Sequence, residues 1–474
     1  MPRPTDIRIA DVELYFLPVK TRMPLKFGAE SLESVVCARA KITVENGQGH
    51  RAVGWGETPL SVQWVWPSKL TMQFRLERLE KFAKLLATHV AKITLAGHAM
   101  EIGLELIENV IANVSADQPD DSPEQQLPYL AKLVVASVFD QAIHDAYGNA
   151  NDIDTYQAYG KQFLDRPLAD FFLTGKIAGQ TIGDNAGQLL AGRYLDEFIE
   201  SSPPTELPVW HLVGGLDPIK PDELTPQHPV DEYPVLLEDW IKTDGLACLK
   251  VKLRGNDADW DFRRMVDVGR IGMPLGVKHL SADFNCMVQD VDYVNQILDR
   301  LKAEHQDIWD SILYVEQPFP HELEDLKLDV HSLSERKPLF LDESAHDWRY
   351  VEYGRRLGWT GVALKTCKTQ TGALLSMCWA KVNEMPLMVQ DLTNPMLAQV
   401  PHVRLAAHSG TIMGVESNGM QFYPDASTAE AQVHPGLYKR VGGMLNLSTL
   451  GGSGFGYRVA DIDRALPDKV SNNS

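Results

Sequence analysis

The sequence predicts an α/β fold built on a closed parallel sheet, and three observations predict it. From about residue 207, short apolar strands alternate with longer amphipathic stretches, the pattern of repeated β/α units. Eight such strands follow in series, which suits a barrel better than an open sheet. Most of them end in a charged residue, and in a parallel barrel those ends converge on one face.

The chain before the barrel reads differently. Ile7 to Val19 and Val35 to Val44 are rich in β-branched and apolar residues and predict strands, with Asn46-Gly47 as a hairpin-type turn. Gly54-Trp55-Gly56-Glu57 is expected just after a third short strand. Residues 69–114 lack proline and read as helical, and 116–123 (ADQPDDSP) reads as a loop. Leu130, Val134, Val138, Ala142 and Ala146 repeat every fourth residue and predict a helix, with Gly148 as its stop. Residues 150–206 give no regular pattern and include the linker-like Ser201-Ser202-Pro203-Pro204.

The barrel strands are expected at Val209–Val213, Cys248–Leu253, Leu280–Asp283, Leu313–Glu316, Leu339–Asp342, Gly361–Lys365, Leu387–Asp391 and Ile412–Glu416. No sequence repeat accompanies the structural one.

Composition narrows the function. The 474 residues can hold a large core and a second unit. A net charge of −19 repels nucleic acid and acidic membranes, so neither is an expected partner. An anionic substrate would need a local cation. Five scattered cysteines without a C-x-x-C pair fit a reducing compartment. Met1 to Lys20 has no basic stretch followed by a long apolar run, and no run of about 18 apolar residues occurs. A cytoplasmic location is the expectation.

The charged strand ends carry the chemistry. Lys252, Asp283, Glu316, Asp342, Lys365, Asp391 and Glu416 close strands two to eight, at steps of about 23–33 residues, one β/α unit each. Three carboxylates on adjacent strands repel unless they share a hard cation. Oxygen-only ligands favour Mg²⁺, or Mn²⁺, over zinc. Lys252 and Lys365 would flank that ion. Lys250, two residues before Lys252, points to the same face and is expected to help depress the pKa of Lys252 and to contact a substrate carboxylate. This set suits abstraction of a proton α to a carboxylate.

The motifs are Lys250-Val251-Lys252 (K-x-K), Asp283-Phe284-Asn285 (D-x-N), Glu316-Gln317-Pro318 (E-Q-P), Asp342-Glu343-Ser344 (D-E-S) and Lys365 in Leu364-Lys365-Thr366-Cys367-Lys368. In this order they resemble the enolase superfamily (mandelate racemase/muconate lactonizing enzyme family), most closely its muconate-lactonizing subgroup. Residues 136–148 (ASVFDQAIHDAYG) resemble the helix that enters that family's barrel, and Gly54 to Glu57 the end of its capping sheet.

The resemblance implies a modified TIM barrel, (β/α)7β, with an N-terminal α+β capping domain. It implies a capping domain over residues 1–130, a barrel over 131–420 and a C-terminal segment, 421–474, that returns to the capping domain. It implies Mg²⁺ on Asp283, Glu316 and Asp342, an acid/base pair in Lys252 and Lys365, and support from Lys250, the roles general to this superfamily. Glu343 is the alternative to Asp342 as ligand, and Lys368 the alternative to Lys365. Asn285, Asp391, Glu416, Phe27 and Trp64 are candidate substrate-binding residues, with Trp66 beside Trp64. Asp391 and Glu416 could equally cap the following helices. His402 and His408 lie on an expected helix after the seventh strand and are read as structural or exposed.

The expected activity gives a metal-stabilised enediolate from a small-molecule carboxylate. Lysines on both faces favour a racemase or epimerase. The same pair would serve a cycloisomerase or a β-eliminating lyase or dehydratase. The reading from another class is a non-catalytic carboxylate-binding barrel. A barrel hydrolase would want histidines at strand ends, and none is seen there. The resemblance also implies a homo-oligomer. The chain departs from the family in its extra residues around 62–125 and 150–206 and in Phe284, where a small residue is common.

Overall fold

The computed structural model describes residues 3–27 and 30–470. Three antiparallel strands, β1 (Ile7–Phe27), β2 (Glu30–Asn46) and β3 (Arg51–Pro59), form the first sheet in that order. The turn between β2 and β3 is held by the Asn46 side chain, which accepts from the backbone N–H of Gln48 and of His50, each at 3.0 Å.

Gly54 and Gly56 lie inside β3 rather than after it, which corrects the expectation. A Cβ on Gly54 would come within 2.2 Å of the Ala142 carbonyl, and one on Gly56 within 2.1 Å of the Val138 carbonyl. Both glycines therefore let the sheet press onto helix Tyr129–Ala150. Gly148 does not stop that helix, which runs on to Ala150. It is a packing glycine, because a Cβ there would meet Gly454 at 2.7 Å. The expected helical stretch breaks after Val90. Thr71 caps helix Met72–Val90 by accepting from Phe74 N–H, and His98 caps a second start at Ala99.

Residues 150–206 hold 3₁₀ turns and a small hairpin, β4 (Gly175–Ile177) and β5 (Gln180–Ile182). The parallel sheet then comprises β6 (Glu206–Val213), β7 (Cys248–Lys252), β8 (His279–Asp283), β9 (Ile312–Glu316), β10 (Leu339–Leu341), β11 (Gly361–Leu364), β12 (Leu387–Val389) and β13 (Val415–Glu416). All eight expected strands are present, in the order β12-β11-β10-β9-β8-β7-β6-β13. The seam between β12 and β13 is bridged by Ile412 N–H donating to Leu387 O at 2.9 Å. The eighth strand is shorter than expected. Gly414 turns at φ 54°, and a Cβ there would meet the Pro208 carbonyl at 1.9 Å.

A further strand, β14 (Met444–Asn446), runs antiparallel to the start of β6. The segment beyond it reaches both parts of the chain. Phe455 N–H donates to Asp145 on helix Tyr129–Ala150, and Val470 N–H donates to Leu14 O on β1. Among the described residues no helix is long and apolar enough to cross a membrane.

Alternation along the strands layers the barrel interior. Trp210, Cys248, Tyr314, Phe340 and Met388 form one buried cluster, with Tyr314 stacked on Phe340 at 4.5 Å. Two residues further along four of those strands stand Lys250, Glu316, Asp342 and Gln390.

Candidate active site

Strand register builds the site. Lys252 on β7 lies opposite Asp283 on β8, and Asp283 lies opposite Glu316 on β9. Asp342 follows β10 directly, and Phe340 pairs with Glu316. The three candidate ligands thus form a row across adjacent strand ends, all buried.

Lys252 Nζ donates to Asp283 Oδ2 at 2.5 Å and to Asn285 Oδ1 at 3.0 Å. At the other end of the row, Lys365 Nζ lies 3.2 Å from Asp342 Oδ2 and donates to the Asp391 carbonyl at 2.9 Å. Lys250 stands between them. Its ammonium is 2.5 Å from Glu316, 3.0 Å from Glu416 and 3.1 Å from Asp283.

Among the described residues no three His, Cys, Asp or Glu side chains are gathered as a metal-binding group. Asp283, Glu316 and Glu416 lie within 3.1 Å of the Lys250 ammonium, and Asp342 pairs with Lys365 and Lys368. The chemistry of these carboxylates still fits a hard divalent ion, for two reasons. Asp342 Oδ1 is buried without a hydrogen-bond partner. Six buried carboxylates (Asp283, Glu316, Asp342, Glu343, Asp391, Glu416) face only four buried ammonium groups (Lys250, Lys252, Lys365, Lys368), a deficit of the size that one divalent cation makes good.

Protonation follows from this crowding. Burial and the neighbouring Asp283 push the Glu316 carboxyl well up, and burial with Asp342 pushes Glu343 up. Burial opposes the charge on Asp283, but Lys252 and Lys250 hold it below the usual carboxylate range. Burial likewise opposes the charge on Asp342, which Lys365 and Lys368 hold down. The ammonium of Lys250, despite burial, is held charged by Glu316, Glu416 and Asp283. Lys365 is likewise raised against burial by Asp342.

Asp391 and Glu416 both reach this cluster. Asp391 spends its side chain on the β13 end, accepting from Asn418 N–H at 2.7 Å and from Asn394 N–H at 3.3 Å. Glu416 accepts from Lys250 and, at 2.8 Å, from Asn418. Trp64 lies on a short buried helix, Val62–Val65. Its indole N–H donates to Glu343 at 2.8 Å, and its ring covers Lys365 at 5.3 Å. Trp66 turns away, and its carbonyl accepts from Arg75 at 2.7 Å. Phe27 ends β1, but its side chain lies outside the described residues. Phe284 is fully buried against Tyr293. His402 and His408 are both buried, the first bound to the Glu416 carbonyl at 2.6 Å and the second stacked on Tyr156 at 3.9 Å.

Gln317 and Gln390 carry no role in the sequence reading, and Lys368, read there as the alternative to Lys365, bonds to backbone carbonyls. Gln317 accepts from Asp342 N–H at 2.9 Å and donates to Ser344 Oγ at 2.6 Å, so the E-Q-P turn holds the D-E-S turn. Gln390 donates to Glu316 at 2.5 Å; its place two residues after the buried Met388 was the available signal. Lys368 reaches the Asp342 turn from the other side. Beside Asn285 and Glu343 opens a cavity of about 460 Å³, lined also by Trp64, Cys286, His321 and Glu322 among others.

No family model matches the chain, and no curated protein matches it in sequence. Solved structures do match its fold. An N-succinyl Arg/Lys racemase from Bacillus cereus ATCC 14579 is 18% identical, with 95% of each chain covered and a TM-score of 0.62. A dipeptide epimerase from Enterococcus faecalis V583, solved with Mg and the dipeptide L-Leu-L-Tyr, is 16% identical, with 95% of this chain and 99% of that one covered and a TM-score of 0.61. A mandelate racemase/muconate lactonizing protein from Herpetosiphon aurantiacus is 18% identical, with 96% and 98% covered and a TM-score of 0.58. The chain thus has the fold of these mandelate racemase/muconate lactonizing, racemase and epimerase structures, the fold that its strand-end motifs predict.

Proposed function

We propose that this protein is an enzyme that removes and returns a proton α to the carboxylate of a small-molecule substrate, as a racemase or epimerase. The observation that carries the reading is the placement of Lys252 and Lys365 at opposite ends of the Asp283–Glu316–Asp342 row. Two amines on two sides of one site can take a proton from one face and deliver it to the other. The names of two fold neighbours, a racemase and a dipeptide epimerase, are consistent with this reading.

Asp283, Glu316 and Asp342 would hold one Mg²⁺ or Mn²⁺, which when bound supplies positive charge against the enolising carboxylate. The chain's own residues do the rest. Lys252, steadied by Asn285, exchanges a proton at one face of the α-carbon. Lys365, steadied by the Asp391 carbonyl, exchanges one at the other. Lys250 bridges Asp283, Glu316 and Glu416 and keeps a positive charge beside the site of the substrate carboxylate. The helix Val62–Val65 excludes water from above.

The test is α-proton exchange in D₂O with Mg²⁺, against pooled sugar acids, N-acylamino acids and dipeptides, read by mass spectrometry. Deuterium uptake that needs Mg²⁺ and falls by about 10²–10⁴ in Lys252→Met or Lys365→Met supports the reading. Mg²⁺ and carboxylate binding with no exchange in the broad pool would leave a binding barrel. Absence of Mg²⁺ binding would remove the ligand assignment.

A further inference from the structure

We infer that Lys368 is a positioning residue for the proposed reaction, acting through the turn that carries Asp342 and Glu343. This inference rests on the functional reading above for its catalytic consequence, but on geometry alone for the clamp.

Lys365 caps and Lys368 ends a single 3₁₀ turn, Thr366–Lys368, in which Lys368 N–H donates to Lys365 O at 3.1 Å. Residues three apart in such a turn project the same way, so both ammonium groups face β10. They do different things there. Lys365 reaches a carboxylate oxygen, Asp342 Oδ2. Lys368 donates to two backbone carbonyls, that of Asp342 and, at 3.0 Å, that of Ala345. These are the first and last residues of a turn that Ala345 N–H closes onto Asp342 O at 2.9 Å. The remaining side of the ammonium faces Asp342 Oδ1 at 3.7 Å, and the Trp64 ring lies 5.5 Å away.

The Lys368 donors are thus spent on protein groups, and its side chain is only 4% exposed. Gln317 grips the same turn from β9, through Asp342 N–H and Ser344. The turn is clamped between a lysine on its carbonyls and a glutamine on its amides. That clamp fixes where the Asp342 carboxylate stands relative to Lys365. Lys368 therefore sets the distance between a ligand carboxylate and a base without touching the substrate. Residues behind metal ligands commonly alter affinity by about 10–100-fold.

Three measurements on Lys368→Met, Lys368→Arg and Lys365→Met test this. In the metal-free protein, hydrogen exchange at the Ala345 amide should quicken at least about tenfold in Lys368→Met and stay unchanged in Lys365→Met. Mn²⁺ affinity should fall about tenfold or more in Lys368→Met, with kcat for α-proton exchange reduced and KM little changed. Lys368→Arg, which can still reach both carbonyls, should recover most of each loss and supplies the readout should the methionine variant fail to fold. Unchanged amide protection and Mn²⁺ affinity in Lys368→Met would overturn the inference. So would loss of exchange from one enantiomer with Mn²⁺ affinity intact, because Lys368 would then be a base itself. A wild-type protein that binds no Mn²⁺ would sink the functional reading, while the Ala345 amide would still decide the clamp.

Discussion

Trp64 donates its indole N–H to Glu343 at 2.8 Å and lays the same ring over Lys365 at 5.3 Å. One side chain from the N-terminal unit thus touches two strand-end loops of the barrel. It also forms a wall of the cavity beside Glu343. Trp64→Phe keeps most of the bulk and removes the donor. Thermal and denaturant unfolding should report a loss of about 1–3 kcal/mol. Steady-state kinetics should report a KM rise larger than the fall in kcat, because the ring borders the cavity rather than supplying a proton.

Lys250 is the cation at the centre of the buried carboxylates. Removing it leaves Glu316, Glu416 and Asp283 short of a partner, and breaking a buried ion pair costs about 3–5 kcal/mol. Lys250→Met should lower stability by that amount in chelator-treated protein. Added Mg²⁺ should then raise the melting temperature of the variant more than that of wild type, measured by scanning calorimetry. Equal shifts would mean that the ion does not take over the charge that Lys250 neutralises.

Gly56 has the Val138 carbonyl within 2.1 Å of any added Cβ. The obstacle is helix backbone, which cannot swing aside. Gly56→Ala should cost about 3 kcal/mol, at the upper end of ordinary overpacking. Equilibrium unfolding checks it. Gly452, with nothing within 4 Å of an added Cβ and no positive φ, makes the control for crowding.

His98 is buried, with Nδ1 accepting from Met100 N–H and Nε2 facing the Ala158 carbonyl, each at 3.0 Å. Burial lowers its pKa to about 3. An unfolded histidine titrates near 6.5, so the unfolded chain binds the extra proton first. The contribution of His98 to stability is complete above about pH 6.5 and is lost as pH falls toward about 3. Unfolding free energy should drop with acidification by up to about 1.4 kcal/mol per pH unit from this group. His98→Asn, which retains a cap acceptor, should flatten that slope. An unchanged slope would place the acid sensitivity elsewhere.

Much of the site was legible in sequence because its residues sit at strand ends. Alternation and the parallel barrel rule place Lys252, Asp283, Glu316, Asp342 and Lys365 on one face without any knowledge of packing. Glycine was less legible. Gly148 after a helical run reads as a stop, and Gly54 and Gly56 read as lying just after a strand. Their real role, close backbone approach, depends on partners about 80 to 300 residues away.

The sequence by itself determined the fold class, the eight strands and the charged residues that end them, since these follow from local periodicity and from the shared direction of parallel strands. The tertiary structure decided which charge neutralises which. It put the Lys250 ammonium between Asp283, Glu316 and Glu416, set Lys368 and Gln317 on either side of the Asp342 turn, and laid Trp64 over Lys365. Those choices rest on distances between side chains of different elements, which buried electrostatics reads to within an ångström and which no local pattern encodes.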